Sequence, residues 1–337
     1  MLLSVTLFLL CALAIYFSCE YFVNGVEWVG RHFNLGATTT GTVLASFGTG
    51  LPESAITFVA VVFGHNDAAK GIGVGVAVGG PLVLATISYA VVGLALRLSR
   101  RRLSRDNVFL QVDGRRLSRD QTWFLLIFAL SLTLGLVAFP LKRWLGVALF
   151  GAYGLYVLRE MSRDQLQDGD QKDLDRLKLR PRDPSPSLYW AALQTIVALV
   201  VIAAASRIFL SQLEVIATHL GVSAQFVALF LSPVATELPE TLNAVIWVRQ
   251  GRERLALANI SGAMMLQATV PAGLGVLFTP WRFDRPLIAA VITTACAVLG
   301  LRALFRRSHV RDASLIPVGL LYALFAVVIV SMGLYHP

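Results

Sequence analysis

Glu53 and Glu240 follow the same Leu-Pro pair, and each sits inside a long apolar stretch. The two strings are Thr49-Gly50-Leu51-Pro52-Glu53 and Thr236-Glu237-Leu238-Pro239-Glu240, offset by 187 residues. An acid at the centre of an apolar membrane helix costs at least ~2.5 kcal/mol on insertion scales, so it marks a functional position by default. Neither stretch carries a Lys or Arg that could neutralise it. Proline removes a backbone donor and crowds the carbonyl one turn back, which frees carbonyls near residues 48 and 235. Thr49 and Thr236 each precede the glutamate by four residues, on the same helical face. Each copy therefore offers a carboxylate, a hydroxyl and free carbonyls. These are hard oxygen donors of the kind Ca²⁺ takes six to eight of, at roughly 2.3–2.6 Å. No Cys or His falls in the cluster, which argues against a soft metal. Glu53 and Glu240 are the metal-ligating candidates, and two such half-sites meeting would build one cation site.

The second string carries an additional acid. Glu237 lies three residues before Glu240 on a shared helical face, with Asn243 one turn further on and Pro233 as a second break. Three carboxylates around one site cannot all stay charged without cations, and one of them could carry a proton as the counter-ion. Ser46, Pro233, Asn243, Asn259 and Ser261 are accessory candidates around this core.

The elements that must position these residues follow from composition. Of 337 residues, 56% are hydrophobic and 15% charged, with a mean hydropathy of +0.69. An ordinary soluble domain carries about 25% charged residues, so a soluble enzyme is excluded as the default. Ten apolar segments fall at about 2–23, 38–63, 71–97, 121–139, 143–159, 188–210, 222–248, 255–278, 287–305 and 314–335. The chain reads as an all-α polytopic membrane protein of ten transmembrane helices. The longest polar stretch, 160–187, holds seven acids, six bases and three prolines. It separates a first set of five spans (1–160) from a second (188–337), with 161–187 as linker.

The 187-residue shift also superposes Glu27 on Glu214, His32 on His219, Gly64 on Gly251 and Gly75 on Gly262. Ten of the 39 positions from 26 to 64 are identical to their counterparts. An odd number of spans separates the copies, so the second half enters the membrane upside down. This is the inverted-repeat plan of many secondary transporters, whose sites lie near the midplane where the repeats meet. Alternating loops, counted with Arg97, Arg159 and Arg302 at the ends of the spans that enter them, carry 1, 8, 7, 3 and 4 Lys or Arg on one side, which is 23 of 29, against 6 on the other. The positive-inside rule places the 23 in the cytoplasm and both termini outside. Loops 99–120 and 160–187 are then cytoplasmic, in a plasma or inner membrane. Val108, Leu110 and Val112 alternate before Asp113-Gly114, which predicts a small hairpin between two Arg-Arg-Leu-Ser-Arg-Asp strings. Those basic loops could touch anionic lipid headgroups. The +9 charge thus reports topology and implies no nucleic-acid partner.

At the glutamate strings the chain resembles the sodium/calcium exchanger family of cation/calcium antiporters. The family signature is two inverted repeats with a Gly-Thr-Ser-x-Pro-Glu (or Asp) core and a later Gly-Asn-x-x-Gly-Ser-Asn (or Asp). Here the cores read Phe47-Gly48-Thr49-Gly50-Leu51-Pro52-Glu53 and Val234-Ala235-Thr236-Glu237-Leu238-Pro239-Glu240. The later elements read Gly71-Ile72-Gly73-Val74-Gly75-Val76-Ala77 and Ala258-Asn259-Ile260-Ser261-Gly262-Ala263-Met264. The family's core Ser is replaced by Gly50 and Glu237, and its late Asn by Ala77 and Met264. Fewer neutral oxygens and one more carboxylate alter above all the lighter Na⁺ sites. The resemblance implies exchange of Ca²⁺ or a similar cation for Na⁺ or H⁺ by alternating access, with no cofactor and no enzymatic activity. Two other classes would use the same acids: an intramembrane hydrolase or protease, and a cation channel. No His-Glu-x-x-His or Gly-x-Ser-x-Gly string supports the first, and a fused repeat favours a carrier over a channel. Glu20, Glu27 and Glu214 read as edge or backbone-bonding acids, His32 and His219 as packing residues, and the three cysteines as unpaired.

Overall fold

The computed structural model describes the chain except residues 1, 33–36, 100–109, 111, 113, 138, 165–174, 250, 252, 308–309 and 334–337. It also leaves out the side chains of 37–49, 140, 160–164, 239, 255 and 332–333. The described residues form ten helical rods, matching the ten apolar segments. The first half comprises α1 (Leu2–His32), α2 (Ala37–Phe63), α3 (Asp67–Val83), α4 (Tyr89–Ser99), α5 (Gly114–Leu136) and α6 (Leu145–Asp164). The second comprises α7 (Leu188–Leu220), α8 (Ala224–Thr236), α9 (Leu238–Arg249), α10 (Glu253–Phe278), α11 (Arg285–Phe305) and α12 (Gly319–Gly333). A π turn over Leu84–Ser88 joins α3 and α4 into one rod, and α8 and α9 form another. Among the described residues six stretches are long and apolar enough to span a membrane by themselves, Leu2–His32 and Leu188–Leu220 among them. The α8–α9 rod falls outside that set because it is broken into two short helices.

The first span of each half is longer than its apolar run. α1 continues to His32 and α7 to Leu220, where hydropathy alone stops near 23 and 210. They pack along each other over much of their length, with Phe8 stacked on Phe209 at 4.6 Å between centroids. A Cβ on Gly25 would lie 2.6 Å from Thr195 Oγ1, so the glycine allows the close approach. α3 and α8 meet just as closely: a Cβ on Gly75 would lie 2.6 Å from Gln225 O, and one on Gly79 2.6 Å from Leu229 O. Small residues let helix backbones come together in this way where no hydrophobic drive separates helix from lipid. α10 runs through the larger of the two main cores, with Met264 and Met265 buried in it.

Loop contacts fix which ends share a side. Leu110 N–H donates to Val310 O at 2.8 Å, bringing the α4–α5 and α11–α12 loops together. The rest of the expected hairpin at 108–112, apart from Leu110 and Val112, lies outside the described residues. At the opposite end the buried Lys142 ammonium donates to Val137 O (3.0 Å), Pro280 O (3.0 Å) and Trp281 O (2.9 Å). It ties the α5–α6 loop to the α10–α11 loop, and burial beside Arg282 holds it below the ordinary lysine value. The second part of the linker is not a free tether. Leu177 is completely buried against Trp28 and Ala191, so residues 175–180 lie docked between α1 and α7.

Candidate functional site

The two glutamate strings sit on rods of different construction. α2 is continuous through Pro52, whereas the second rod stops at Thr236 and restarts at Leu238, leaving Glu237 at the break. Freed carbonyls near residues 48 and 235 are the expectation from sequence; the helix itself is interrupted only in the second copy. That copy has two prolines, Pro233 and Pro239, where the first has Ser46 and Pro52, and sharp bends in helices occur where the backbone ladder loses donors. The Glu237 carbonyl at the break accepts from Thr241 N (3.0 Å) and Thr241 Oγ1 (2.9 Å). Thr241 Oγ1 in turn pairs with Ser88 Oγ at 2.7 Å, at the end of the π turn. Single π turns often sit at functional places in helices, and this one brings α4 to the break.

Glu53, Glu237 and Glu240 come together at the meeting of the two repeats, exposed by only 1%, 0% and 2%. Thr236 and Glu237 face the Glu53 carboxyl, and Glu240 acts electrostatically on Glu237. Among the described residues no lysine or arginine acts on the three. Among the described residues, both oxygens of Glu53, Oε2 of Glu237 and Oε2 of Glu240 have no hydrogen-bond donor. Buried carboxylates are normally paired, and leaving them bare is costly. A concentration of bare oxygens is therefore what a site built for cations or protons looks like. The Thr236 hydroxyl donates to Ser232 O at 3.0 Å, which leaves its lone pairs available.

Gln267 on α10 is the member of this group that sequence reasoning missed. Its Nε2 donates to Glu237 Oε1, and its own Oε1 has no partner. A faint signal existed: Gln267 is the 187-shift counterpart of Gly80, and each lies 27 residues after its glutamate. A Cβ on Gly80 would come 2.7 Å from Gln267 Oε1 and 3.1 Å from Glu237 Oε1. Gly50, the counterpart of Glu237, likewise leaves room for Leu266 of α10. The first repeat is thus hollowed by glycine where the second carries a polar pair.

The other candidates are placed as follows. The side chains of Thr49 and Ser46 lie outside the described residues. Pro233 packs against Gly79, where a Cβ would lie 2.5 Å from Pro233 Cγ. Asn243 is half-buried and faces the Tyr16 hydroxyl of α1. Asn259 is half-buried with Nδ2 unpartnered. Ser261 belongs to a different polar group, bonded to Tyr89 OH (2.9 Å) and Gln121 Nε2 (3.3 Å). His32 and His219 each meet the carbonyl four residues earlier, Trp28 O and Val215 O, at 2.8 Å. Among the described residues no three or more His, Cys, Asp or Glu are arranged to hold a metal ion. Hydroxyl, amide and carbonyl oxygens would have to complete any shell around Glu53 and Glu240.

Comparison with known proteins bears on the whole chain. The sodium/calcium exchanger protein family matches residues 3–161 and 190–335, covering both repeats and skipping the linker. Inner membrane protein YrbG of Escherichia coli K12 is 25% identical over 291 residues, 84% of this chain and 82% of that protein. Putative antiporter CaxA of Alkalimonas amylolytica is 23% identical over 336 residues, 96% of this chain and 100% of that protein. The crystal structure of the H⁺/Ca²⁺ exchanger CAX superposes with a TM-score of 0.70 at 18% identity, covering 97% of this chain and 82% of that one. The sodium-calcium exchanger NCX_Mj superposes with a TM-score of 0.58 at 20% identity, covering 97% and 98%. With both repeats matched, the protein belongs to the sodium/calcium exchanger family and is an integral membrane cation/calcium antiporter, not an enzyme.

Proposed function

We propose that the protein exchanges Ca²⁺, or a cation like it, for Na⁺ or H⁺ by alternating access at the buried cluster of Glu53, Glu237 and Glu240. The carrying observation is the set of four carboxylate oxygens, contributed by both repeats, that are buried with no donor among the described residues. Glu53 and Glu240 are the primary ligands, Thr236 and Thr49 supply hydroxyl oxygens, and Glu237 adds the third charge. Gly50 in place of a hydroxyl residue and a third carboxylate weaken the case for Na⁺ and favour a proton as the counter-ion. The two five-span repeats, 1–160 and 188–337, move about the site, with 161–187 joining them. The 23-to-6 distribution of Lys and Arg supports both termini outside and loops 99–120 and 160–187 in the cytoplasm, near anionic headgroups.

The test is ⁴⁵Ca²⁺ uptake by proteoliposomes under separate Na⁺ and H⁺ gradients. Uptake driven by one gradient is expected, and Glu53→Gln or Glu240→Gln abolishes it. Full gradient-driven uptake in either variant refutes the site. Absence of uptake with both gradients in the unmodified protein refutes Ca²⁺ as the cargo.

A further inference from the structure

α1 carries a polar stripe on an otherwise apolar span. Tyr16, Glu20 and Asn24 recur every four residues and so share one face. The docked linker lies along this stripe. Asn24 Nδ2 donates to Asp175 O (3.3 Å) and Arg176 O (3.4 Å), and Trp28 Nε1 donates to Asp175 O at 2.9 Å. Asn24 Oδ1 accepts from Lys178 N at 3.0 Å, and Gln194 Oε1 of α7 accepts from Leu179 N at 2.8 Å. Gln194 Nε2 closes the clasp on Tyr21 O at 2.8 Å and Asn24 Oδ1 at 3.0 Å. Arg180 stacks on Trp190, 3.9 Å from the ring centroid. These contacts hold the backbone of residues 175–180 without any help from the Lys178 side chain.

That side chain instead reaches the Glu20 carboxylate. Lys178 Nζ lies 2.5 Å from Glu20 Oε2 and 5.3 Å from the Tyr21 ring centroid. The two side chains are 34% and 40% exposed. An ion pair this open to water adds only about 0–1 kcal/mol, so it is no structural anchor, and another cation can displace the ammonium. Beyond Glu20 the polar contacts lead inward. The Tyr16 hydroxyl faces Glu20 and Asn243, and Glu240 acts on it electrostatically. Cys19, next to Glu20, is within electrostatic reach of both Glu53 and Glu240. Glu20 is thus the outermost charge of a set of polar groups on α1 and α9 that lie between the linker surface and the buried carboxylates.

We infer that Glu20, with the Tyr16 hydroxyl and Asn243 behind it, is a capture site for the cation on the linker side of the membrane, and that the Lys178 ammonium is a competitor tethered over it by the clasp. The incoming ion displaces Lys178 from Glu20 before passing Tyr16 and Asn243. The linker then sets the concentration at which the exchanger loads from that side, without contacting the buried site. This rests on the exchange reading for its consequence, but the capture site can be tested without transport.

The probe is Tb³⁺, a luminescent Ca²⁺ substitute excited through nearby Tyr and Trp rings such as Tyr16, Tyr21 and Trp28. It is titrated into detergent-solubilised protein carrying Glu53→Gln and Glu240→Gln, so that the buried site is disabled. Lys178→Met keeps the alkyl stem on Tyr21 and removes the charge; it strengthens Tb³⁺ binding by about two- to fivefold, the factor an exposed ion pair is worth. Adding Glu20→Gln abolishes that binding, and Tyr16→Phe weakens it. In transport-competent vesicles with the linker side outward, Lys178→Met lowers the half-saturating Ca²⁺ by the same factor. An unchanged Tb³⁺ titration on removing Lys178, or binding that survives Glu20→Gln in a monodisperse protein, overturns the capture site. If Tb³⁺ behaves as expected and no ion is exchanged, the transport reading fails and the capture site stands.

Discussion

Gly80→Ala puts one methyl group against the contact between Gln267 and Glu237. The added Cβ would lie 2.7 Å from Gln267 Oε1 and 3.1 Å from Glu237 Oε1. The first distance is too short to persist, and the atom that must yield is the far end of a flexible amide rather than backbone. Gln267 therefore swings away, and the Glu237 carboxylate loses the donor that now holds Oε1. A hydrogen bond to a charged group contributes about 1.5–3 kcal/mol, which is roughly a 10- to 150-fold change in an equilibrium constant. The assay is the half-saturating Ca²⁺ for gradient-driven uptake, alongside size-exclusion behaviour to show that the fold persists. Half-saturation should shift by about that factor, in the direction set by whether a freed Glu237 binds the ion more loosely or the counter-ion more tightly. Gln267→Ala removes the same bond without crowding, so Gly80→Ala adds nothing in its presence. This non-additivity is the signature of a shared contact. Independent, additive effects of the two substitutions would refute the proposed coupling.

Gly75 and Gly262 are equivalent by the repeat but not in space. Gly75→Ala meets Gln225 O and Leu229 N of α8, at 2.6 and 3.0 Å from the new Cβ, whereas nothing lies within 4 Å of one on Gly262. Thermal unfolding in detergent should show Gly75→Ala destabilised by about 1–3 kcal/mol, as overpacking costs, and Gly262→Ala unchanged. Lys142→Met leaves the carbonyls of Val137, Pro280 and Trp281 without their donor, and a loss of roughly 2–4 kcal/mol is expected from unmet polar groups. Because burial holds Lys142 below its ordinary 10.5, the unfolded chain binds the proton more tightly. Stability should therefore rise as pH increases from the lowered folded value toward 10.5. This rise is measured as the difference between unmodified protein and Lys142→Met in tryptophan-monitored melts. Ser88→Ala removes the bond to Thr241 Oγ1 at the π turn. It should lower the turnover of exchange more than it lowers the melting temperature, and an equal loss in both would reduce the contact to packing.

Much of the architecture was legible because the bilayer imposes it. Apolar runs must become helices when no water is present to satisfy the backbone, so ten segments read from hydropathy appear as ten rods. A carboxylate that is costly to bury is conspicuous against an apolar background, so Glu53, Glu237 and Glu240 could be named by type and spacing. The ends of the rods were less legible. α1 runs past its apolar stretch because Asn24 and Trp28 find partners in the linker and, for Asn24, in Gln194 of α7. Hydropathy reads those residues as solvent-facing.

The sequence by itself determined the repeat, its inversion and the two Leu-Pro-Glu strings, since each is a matter of order and period along one chain. It could not distinguish what the repeat made equivalent. Only the tertiary structure decided that one copy is a continuous helix and the other is broken at Glu237. The same holds for Gly75, pressed against backbone, while Gly262 faces open space. It also brought in Gln267, which looks unremarkable in α10 until α3 presents Gly80 opposite it. And it turned a proline-rich linker into a segment seated on α1, with Lys178 over Glu20. The physical reason is common to all four. Period and hydropathy fix which way a residue can face, but the identity of the neighbour across a helix interface depends on contacts between residues far apart in the chain.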